Sequence, residues 1–262
     1  MALRLADFEG DKDIGRVDYD ARLEALQHQL ELIQSAYINQ DRKAIIAVEG
    51  WDASGKGGLI TRLVGTLDPR FIKVWSIGAP TRIEIEHHYL WRFWQKLPGC
   101  REIALFDRTW YGRVLVERVD KITPEPVWRR AYDEINAFEA LHIADGTRIV
   151  KLFLHVTQAE QDKRLKERIE TPWKRWKTGL EDYHNRSLRG AYLEAYEEMF
   201  AETSTKHAPW TVIAADDKKW ARIKGLEAVV AALGDGVDLA YPPIDPAVRK
   251  IAEKTLGVKI GD

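Results

Sequence analysis

Residues 43–59, KAIIAVEGWDASGKGGL, join a short apolar run to a glycine-rich turn. The run is rich in β-branched residues and ends in glycine, which is typical of a strand buried on both faces of a parallel sheet. Gly50, Gly55 and Lys56 have the spacing of the phosphate-binding sequence G-x-x-x-x-G-K-[ST], but Gly57 stands where a hydroxyl residue usually binds Mg²⁺. The stretch therefore predicts a phosphate loop whose metal ligands lie elsewhere.

Strand and helix patterns alternate along the rest of the chain. Further strands are expected at 71–78, 102–107, 147–156 and 209–215. Helical patterns precede, separate and follow the strands, at 18–40, 56–68, 82–97, 124–145, 158–169, 180–202 and 217–234. This order predicts an α/β, P-loop kinase-like fold of three layers, in which a parallel five-stranded sheet carries helices on both faces and a helical lid.

The composition indicates a single globular domain over residues 1–262, with a core at about 15–245 and a surface tail at 241–262. Lys and Arg number 40 against 41 Asp and Glu, so a site for a polyanion needs a local concentration of positive charge. The charged N-terminus and the lack of a long apolar run predict neither a secretory signal nor a membrane helix. With a single cysteine, Cys100, this indicates a cytoplasmic setting.

The glycine-rich turn is expected to bind phosphate through its backbone. Glycines permit a sharp turn that brings N–H groups against phosphate oxygens, and the helix that starts near Lys56 adds its positive dipole end. Lys56 would supply a point charge to the phosphate that moves. The predicted phosphate-binding residues of this turn are Gly50, Ser54, Gly55, Lys56, Gly57 and Gly58.

Two aspartates are the candidate metal ligands, since Mg²⁺ prefers carboxylates together with phosphate oxygens and water. Asp52 lies inside the loop, where a carboxylate would repel phosphate unless a cation lay between them. Asp107 ends the strand 102–107, which would deliver it beside the phosphates. The alternatives are that Asp52 caps its own turn and that Asp107 is a solvated acid at a strand end.

Arginines follow the second aspartate. Arg108 is the candidate for stabilising the charge of the transferred phosphate, because a planar guanidinium suits that task. Arg113 is a weaker candidate for phosphate binding. Arg113 and Arg118 can equally be solvated helix residues.

A basic segment at 162–189 is expected to form a mobile lid. It interrupts the pattern at the carboxyl end of a strand, where kinases of this fold carry a segment that closes over phosphates. Trp173 and Trp176 within it are the tryptophans least expected in the core. A solvated charged face and a nucleic-acid site are the alternatives, although no nucleic-acid module matches. The candidate phosphate-binding cations are Arg164, Arg168, Lys174, Arg175, Lys177 and Arg186.

Four ordered motifs resemble the polyphosphate kinase 2 family. They are EGWDASGKGG at 49–58, FDRTWYGRVLVERV at 106–119, RLKERIETPWKRWK at 164–177 and TSTKHAPWTVIAADDKKWARI at 203–223. The family's loop has the form G-x-D-x-x-G-K-G, so Gly57 belongs to its pattern. The resemblance implies that Asp52, Lys56, Asp107 and Arg108 occupy the family's metal and phosphoryl-transfer positions, and that 162–189 is its lid.

The resemblance also implies an activity, which is Mg²⁺-dependent phosphoryl transfer between inorganic polyphosphate and adenine or guanine nucleotides. Mn²⁺ could replace Mg²⁺, since the same oxygen ligands bind it. Gly112 and the segment ETPWKRWK are closer to the members that convert AMP to ADP than to those specific for ADP or GDP. Members assemble into dimers and tetramers, so a homo-oligomer is expected. An ATP-dependent small-molecule kinase of this fold and a non-catalytic polyanion binder remain alternatives.

Overall fold

The computed structural model describes residues 3–9, 16–257 and 259. Five strands form one parallel sheet in the order β2-β3-β1-β4-β5. The predicted parallel five-stranded sheet is thereby confirmed. The strands are β1 (Lys43–Gly50), β2 (Ile72–Ser76), β3 (Ile103–Asp107), β4 (Thr147–His155) and β5 (Trp210–Ala214).

Eleven α-helices occur in these described parts of the chain, and short 3-10 turns accompany them. Several match the sequence patterns closely, the first of them beginning at Arg16. The helices are α1 (Arg16–Asn39), α2 (Lys56–Val64), α3 (Arg82–Ile85), α4 (Trp91–Trp94), α5 (Val116–Val119), α6 (Glu125–Ala144), α7 (Gln158–Glu170), α8 (Leu180–Ser187), α9 (Arg189–Thr203), α10 (Lys218–Gly234) and α11 (Pro246–Leu256).

Both faces of the sheet are covered. Successive side chains of a strand point to opposite faces, and in β1 all residues after Lys43 are buried. Helices α6 and α9 cover one face, where Phe153 of β4 contacts Tyr196 and Phe200 of α9. Helices α1, α2 and α10 pack together, and α10 also packs on β4 and β5. The three-layer prediction is therefore confirmed.

Two predicted helices are each divided. The expected helix 82–97 is α3 and α4 separated by a turn; Ile83 and Ile85 are exposed whereas Phe93 is buried, so one continuous apolar stripe is absent. The expected helix 180–202 is broken at Leu188. There the Ser187 hydroxyl donates to the carbonyl of His184 and competes with the helical backbone pattern.

The tail after Tyr241 carries α11, whose apolar residues Val248 and Ile251 are exposed. Residues 258 and 260–262 of the predicted tail 241–262, and residue 15 at the start of the predicted core, lie outside the described ranges. Over the residues that are described, no helix has both the length and the apolar character needed to cross a membrane.

Candidate functional site

The phosphate loop leaves β1 at Gly50 in a conformation that only glycine adopts comfortably. Gly50 has φ 144°, and a Cβ at this position would lie 2.5 Å from the carbonyl oxygen of Leu154 on β4. The loop then reaches Gly55, with φ 106°, and α2 begins at Lys56. The first amides of α2 therefore open toward the carboxyl edge of the sheet, as an anion site requires.

Lys56 folds back over this loop. Its Nζ donates hydrogen bonds to the carbonyl oxygens of Gly50, at 2.8 Å, and Trp51, at 3.0 Å. Burial lowers the pKa of Lys56, and the carboxylates of Asp52 and Asp107 act in the opposite direction. A partly desolvated ammonium group beside two acids is well suited to neutralise an incoming phosphate.

Asp107 and Arg108 lie at the same edge. Asp107 ends β3 in register with Val48 of β1 and Ser76 of β2. Arg108 follows with φ 65°, a left-handed conformation that is rare outside glycine and is retained most often at functional sites. Its amide donates to the Val48 carbonyl, so the turn that carries the guanidinium is fixed on β1.

Asp52 is held at three of its atoms. Arg108 Nη2 donates to Oδ1 at 2.8 Å, and Asn185 Nδ2 of α8 donates to Oδ2 at 2.7 Å. Gln161 Nε2 of α7 donates to the backbone oxygen of Asp52 at 3.1 Å. Both carboxylate oxygens accept from side chains of other elements, and no described backbone amide of the turn donates to them, so this conformation gives no support to the alternative in which Asp52 caps its own turn.

The two aspartates fit a divalent cation shared with substrate. Each oxygen of Asp52 accepts a single hydrogen bond, and no described residue donates to the carboxylate of Asp107. Within the described ranges, no group of three or more His, Cys, Asp or Glu side chains is arranged to hold a metal. Two carboxylates with open lone pairs suit Mg²⁺ when phosphate oxygens and water complete the coordination.

Arg164, one of the predicted phosphate-binding cations, has a different position from the one expected. It is buried, and its guanidinium donates to the carbonyls of Ala53, Ser54, Ala215 and Asp216 and to the carboxylate of Glu160. All five of its donors are therefore used inside the protein. We correct the prediction at this position: Arg164 supports the loop from α7 instead of facing a phosphate.

The remaining predicted cations have partners of their own in this conformation. Arg113 pairs with Glu117 and lies over the ring of Tyr89 at 4.5 Å. The lid cations Arg168, Lys174, Arg175 and Arg186 are bonded respectively to Asp182, Glu167, the Ile169 carbonyl and Asp162, and Lys177 lies over the ring of Trp176. Substrate binding to these side chains would exchange such contacts, so their role stays a prediction.

Residues 172–177 of the lid include two exposed tryptophans, as expected from the sequence. Trp173 and Trp176 have relative exposures of 75% and 79%. By contrast, Trp110, which belongs to the turn that follows Arg108, is buried.

Sequence reasoning missed a layer of residues behind the loop. Trp51 Nε1 donates to His155 Nδ1 at 2.8 Å, and the Arg189 guanidinium lies 3.9 Å from the centroid of the Trp51 ring. The buried carboxyl of Glu49 accepts a hydrogen bond from the Thr109 hydroxyl at 2.7 Å, and burial raises the pKa of Glu49. No motif or spacing in the sequence indicates these contacts, since each joins residues from separate elements.

One further cation lies at the start of α2. Gly58 leaves room for Arg222 of α10, whose Nη2 would be 3.3 Å from a Cβ at that position. The glycine at 58 thus permits a guanidinium to approach the phosphate loop.

The chain is similar to several known proteins. A sequence model of the polyphosphate kinase 2 (PPK2) family matches residues 13–237. The chain is 46% identical over 216 residues to the polyphosphate:AMP phosphotransferase of Acinetobacter johnsonii. This alignment covers 82% of this chain and 45% of that protein. It is 38% identical over 248 residues to the AMP/ADP-polyphosphate phosphotransferase of Meiothermus ruber. That alignment covers 93% of this chain and 90% of the Meiothermus protein.

A solved structure has the same fold. The polyphosphate kinase 2 of Arthrobacter aurescens TC1 superposes with a TM-score of 0.87 at 31% identity, over 95% of this chain and 90% of that one. The chain spans less than half the length of the Acinetobacter relative but nearly all of the Meiothermus and Arthrobacter proteins. The family match extends over most of the chain and includes the loop, the β3 aspartate and the lid, so the chain belongs to the polyphosphate kinase 2 family.

Proposed function

We propose that this protein transfers a phosphoryl group between inorganic polyphosphate and a purine nucleotide, with AMP to ADP as its main reaction. The observation that carries the proposal is the meeting of Lys56, Asp52, Asp107 and Arg108 at the glycine loop. Phosphoryl transfer requires positioning and charge neutralisation more than covalent chemistry, and these four side chains supply both.

In this mechanism the loop amides hold the phosphate in flight and the Lys56 ammonium neutralises its growing charge. Asp52 and Asp107 would hold Mg²⁺, or Mn²⁺, which supplies positive charge to phosphate oxygens when bound. Arg108 keeps a guanidinium at the same edge, where it can pair with a phosphate instead of with Asp52. In-line transfer needs no covalent intermediate, so the buried His155 keeps a structural role beside Trp51.

Cations outside the phosphate loop support polyphosphate as the donor. Arg222 lies near the first turn of α2, and the lid contributes further basic side chains. The Acinetobacter relative is a polyphosphate:AMP phosphotransferase, and the Meiothermus relative is an AMP/ADP-polyphosphate phosphotransferase. The higher identity to the polyphosphate:AMP phosphotransferase favours the monophosphate as acceptor.

The test is product formation from long-chain polyphosphate and Mg²⁺ with AMP and ADP supplied separately, resolved by chromatography. ADP from AMP, with little ATP from ADP, is the expected result, and Asp107→Asn is the inactive reference. ATP from ADP alone would overturn the acceptor assignment. Turnover with ATP as donor but not with polyphosphate would instead favour an ATP-dependent kinase.

The proposal extends to base, assembly and location. Guanine nucleotides are included as acceptors, a homodimer or homotetramer is expected, and the setting is the cytoplasm. Substituting GMP for AMP in the same assay tests the first, and sedimentation analysis of the purified protein tests the second.

A further inference from the structure

Asn185 of the lid is aimed at Asp52 by a partner of its own. The Tyr192 hydroxyl on α9 donates to Asn185 Oδ1 at 3.1 Å, and Asn185 Nδ2 donates to Asp52 Oδ2 at 2.7 Å. A carboxylate only accepts hydrogen bonds, so the amide nitrogen must face Asp52 and the amide oxygen must face the hydroxyl. The chain Tyr192–Asn185–Asp52 thus has one consistent direction.

Asn185 also limits what Arg108 can do. The guanidinium of Arg108 meets Asp52 through a single donor, Nη2 to Oδ1 at 2.8 Å. Arginine and carboxylate otherwise tend to form two parallel hydrogen bonds, which is a strong arrangement. Here Oδ2 faces the amide of Asn185 instead of Arg108, so the carboxylate does not form that two-point pairing and keeps further lone pairs open.

We propose that Asn185 is a positioning residue for Asp52, which it holds in the orientation that binds the divalent cation. Without the amide, Asp52 would turn to pair with Arg108 through both oxygens, and the cation would have to compete with a guanidinium. This inference rests on the proposed function, in which Asp52 is a metal ligand. It assigns to the lid a task at the metal site in addition to contact with phosphate.

Other lid contacts allow this role to be separated from lid closure. His184, beside Asn185 on α8, contacts Asp120 at 2.9 Å and does not touch Asp52. Replacing His184 removes a contact between the lid and the body, whereas replacing Asn185 removes a contact with the candidate metal ligand as well. The Ser187 hydroxyl on the same helix donates to the His184 carbonyl and bonds to no other described residue, so Ser187 offers a control for the substitution itself.

The experiment measures Mn²⁺ binding to the chain of residues 1–262 by electron paramagnetic resonance of the free ion, without nucleotide or polyphosphate. We expect Asn185→Ala to weaken binding about tenfold, as is typical when the hydrogen-bond partner of a metal ligand is removed. His184→Ala and Ser187→Ala should bind Mn²⁺ as the parent protein does. Tyr192→Phe, which removes the donor that orients the amide, should give an intermediate weakening and serves if Asn185→Ala does not fold.

Lid displacement is followed in parallel by mapping tryptic cleavage at Lys174, Arg175 and Lys177. Weakened Mn²⁺ affinity in Asn185→Ala, with parental affinity and parental cleavage in His184→Ala, would support the inference, since the lid then stays in place and only the amide is lost. Faster cleavage of His184→Ala with unchanged Mn²⁺ affinity would overturn it, because α8 carries Asn185 as well as His184. Equal loss of Mn²⁺ affinity in His184→Ala and Asn185→Ala would overturn it in favour of general lid closure. Parental Mn²⁺ affinity in both Asn185→Ala and Tyr192→Phe would also overturn the inference.

Asp52→Asn separates this inference from the proposal on which it rests. If Asp52→Asn binds Mn²⁺ as tightly as the parent protein, the metal assignment itself is wrong. If Asp52→Asn weakens binding and Asn185→Ala does not, only the positioning role fails.

Discussion

The molecule brings a lysine and carboxylates together in two regions, once at the carboxyl edge of the sheet and once inside the core. At the edge, Lys56 lies near Asp52 and Asp107. In the core, Lys151 of β4 lies 2.8 Å from Glu139 of α6, and both side chains are almost completely buried. The charged groups are the same in the two regions, an ammonium beside carboxylates, but their hydrogen bonding is different.

The core cluster is complete by itself. Lys151 Nζ donates to Tyr111 Oη, to Glu139 Oε2 and to the Thr203 carbonyl, at 2.7–2.9 Å. Glu139 Oε1 accepts from Trp110 Nε1 and Tyr111 Oη. Every donor of the ammonium group is therefore satisfied by the protein, and the cluster ties β4 and α6 to the turn after Arg108 and to the end of α9.

The edge cluster is incomplete by comparison. The Ser54 hydroxyl in the loop is buried without a hydrogen-bond partner among the described residues. The carbonyl of Asp107 accepts from the Ile77 amide, but no described residue donates to its carboxylate. Lys56 donates only to loop carbonyls, and Arg108 has a strained backbone. The capacity to bind therefore lies where hydrogen bonds are missing, because those groups gain a partner only when a ligand arrives.

The largest effect is expected from Lys151→Met. Removing one member of a buried pair leaves Glu139 charged and unpaired, so the free energy of unfolding should fall by about 3–5 kcal/mol. The turnover of the protein that remains folded should stay near the parental value. Urea unfolding and an assay of the folded fraction measure the two quantities. Lys151→Met/Glu139→Gln should recover part of the stability, and a double variant as unstable as the single one would argue against an ion pair.

Lys56→Met is the same substitution at the edge of the sheet. It should lower turnover strongly and leave stability nearly unchanged, which is the reverse of the result expected for Lys151→Met. Loss of the ammonium group should lower kcat about 10²- to 10³-fold, as expected for one preorganised charge that stabilises a transition state. The free energy of unfolding should change little, since burial lowers the pKa of Lys56 and its charge is costly to keep. A protein with parental turnover would contradict the proposed mechanism. Comparable unfolding loss in both lysine variants would remove the distinction between the two regions.

Arg164→Met tests whether Arg164 belongs with the complete cluster or with the incomplete one. Four backbone carbonyls would lose their donor, and we expect a loss of about 2–3 kcal/mol in the free energy of unfolding without any ligand. Arg168→Met, which removes a partly exposed pair with Asp182, should cost less than about 1 kcal/mol. If Arg164→Met keeps parental stability and only polyphosphate binding weakens, the original phosphate-contact prediction is restored.

The sequence was sufficient for the parts of the site that depend on strand ends. Apolar runs identified all five strands, and a parallel sheet brings the ends of β1 and β3 together, so Asp107 beside the loop could be expected. The role of Arg164 could not be expected. In a charged run, the sequence does not distinguish a buried arginine from a solvent-exposed one, and only the packing of α7 against the loop does so. Asn185 was missed for a related reason. Its contact with Asp52 spans 133 positions and depends on the angle between α8 and the sheet.

The smallest effect concerns His155, which joins the edge to its buried support. His155 Nδ1 accepts the indole N–H of Trp51, so that nitrogen carries no proton. Burial lowers the pKa of His155 below its usual 6.5; nearby Arg189 acts in the same direction, whereas Glu9 and Asp216 oppose it. The unfolded chain therefore takes up a proton more readily than the folded protein.

It follows that the stability due to neutral His155 is complete above pH 6.5 and declines as the pH falls from 6.5 toward the lower pKa of the folded state. His155→Gln keeps an acceptor for Trp51 but does not titrate. The difference in the free energy of unfolding between parent and variant should therefore change by about 1 kcal/mol across this window. Urea unfolding at pH 5.5 and 7.5 measures it, and the other titrating groups are common to both proteins. A difference that is constant with pH would mean that protonation of His155 is not linked to folding.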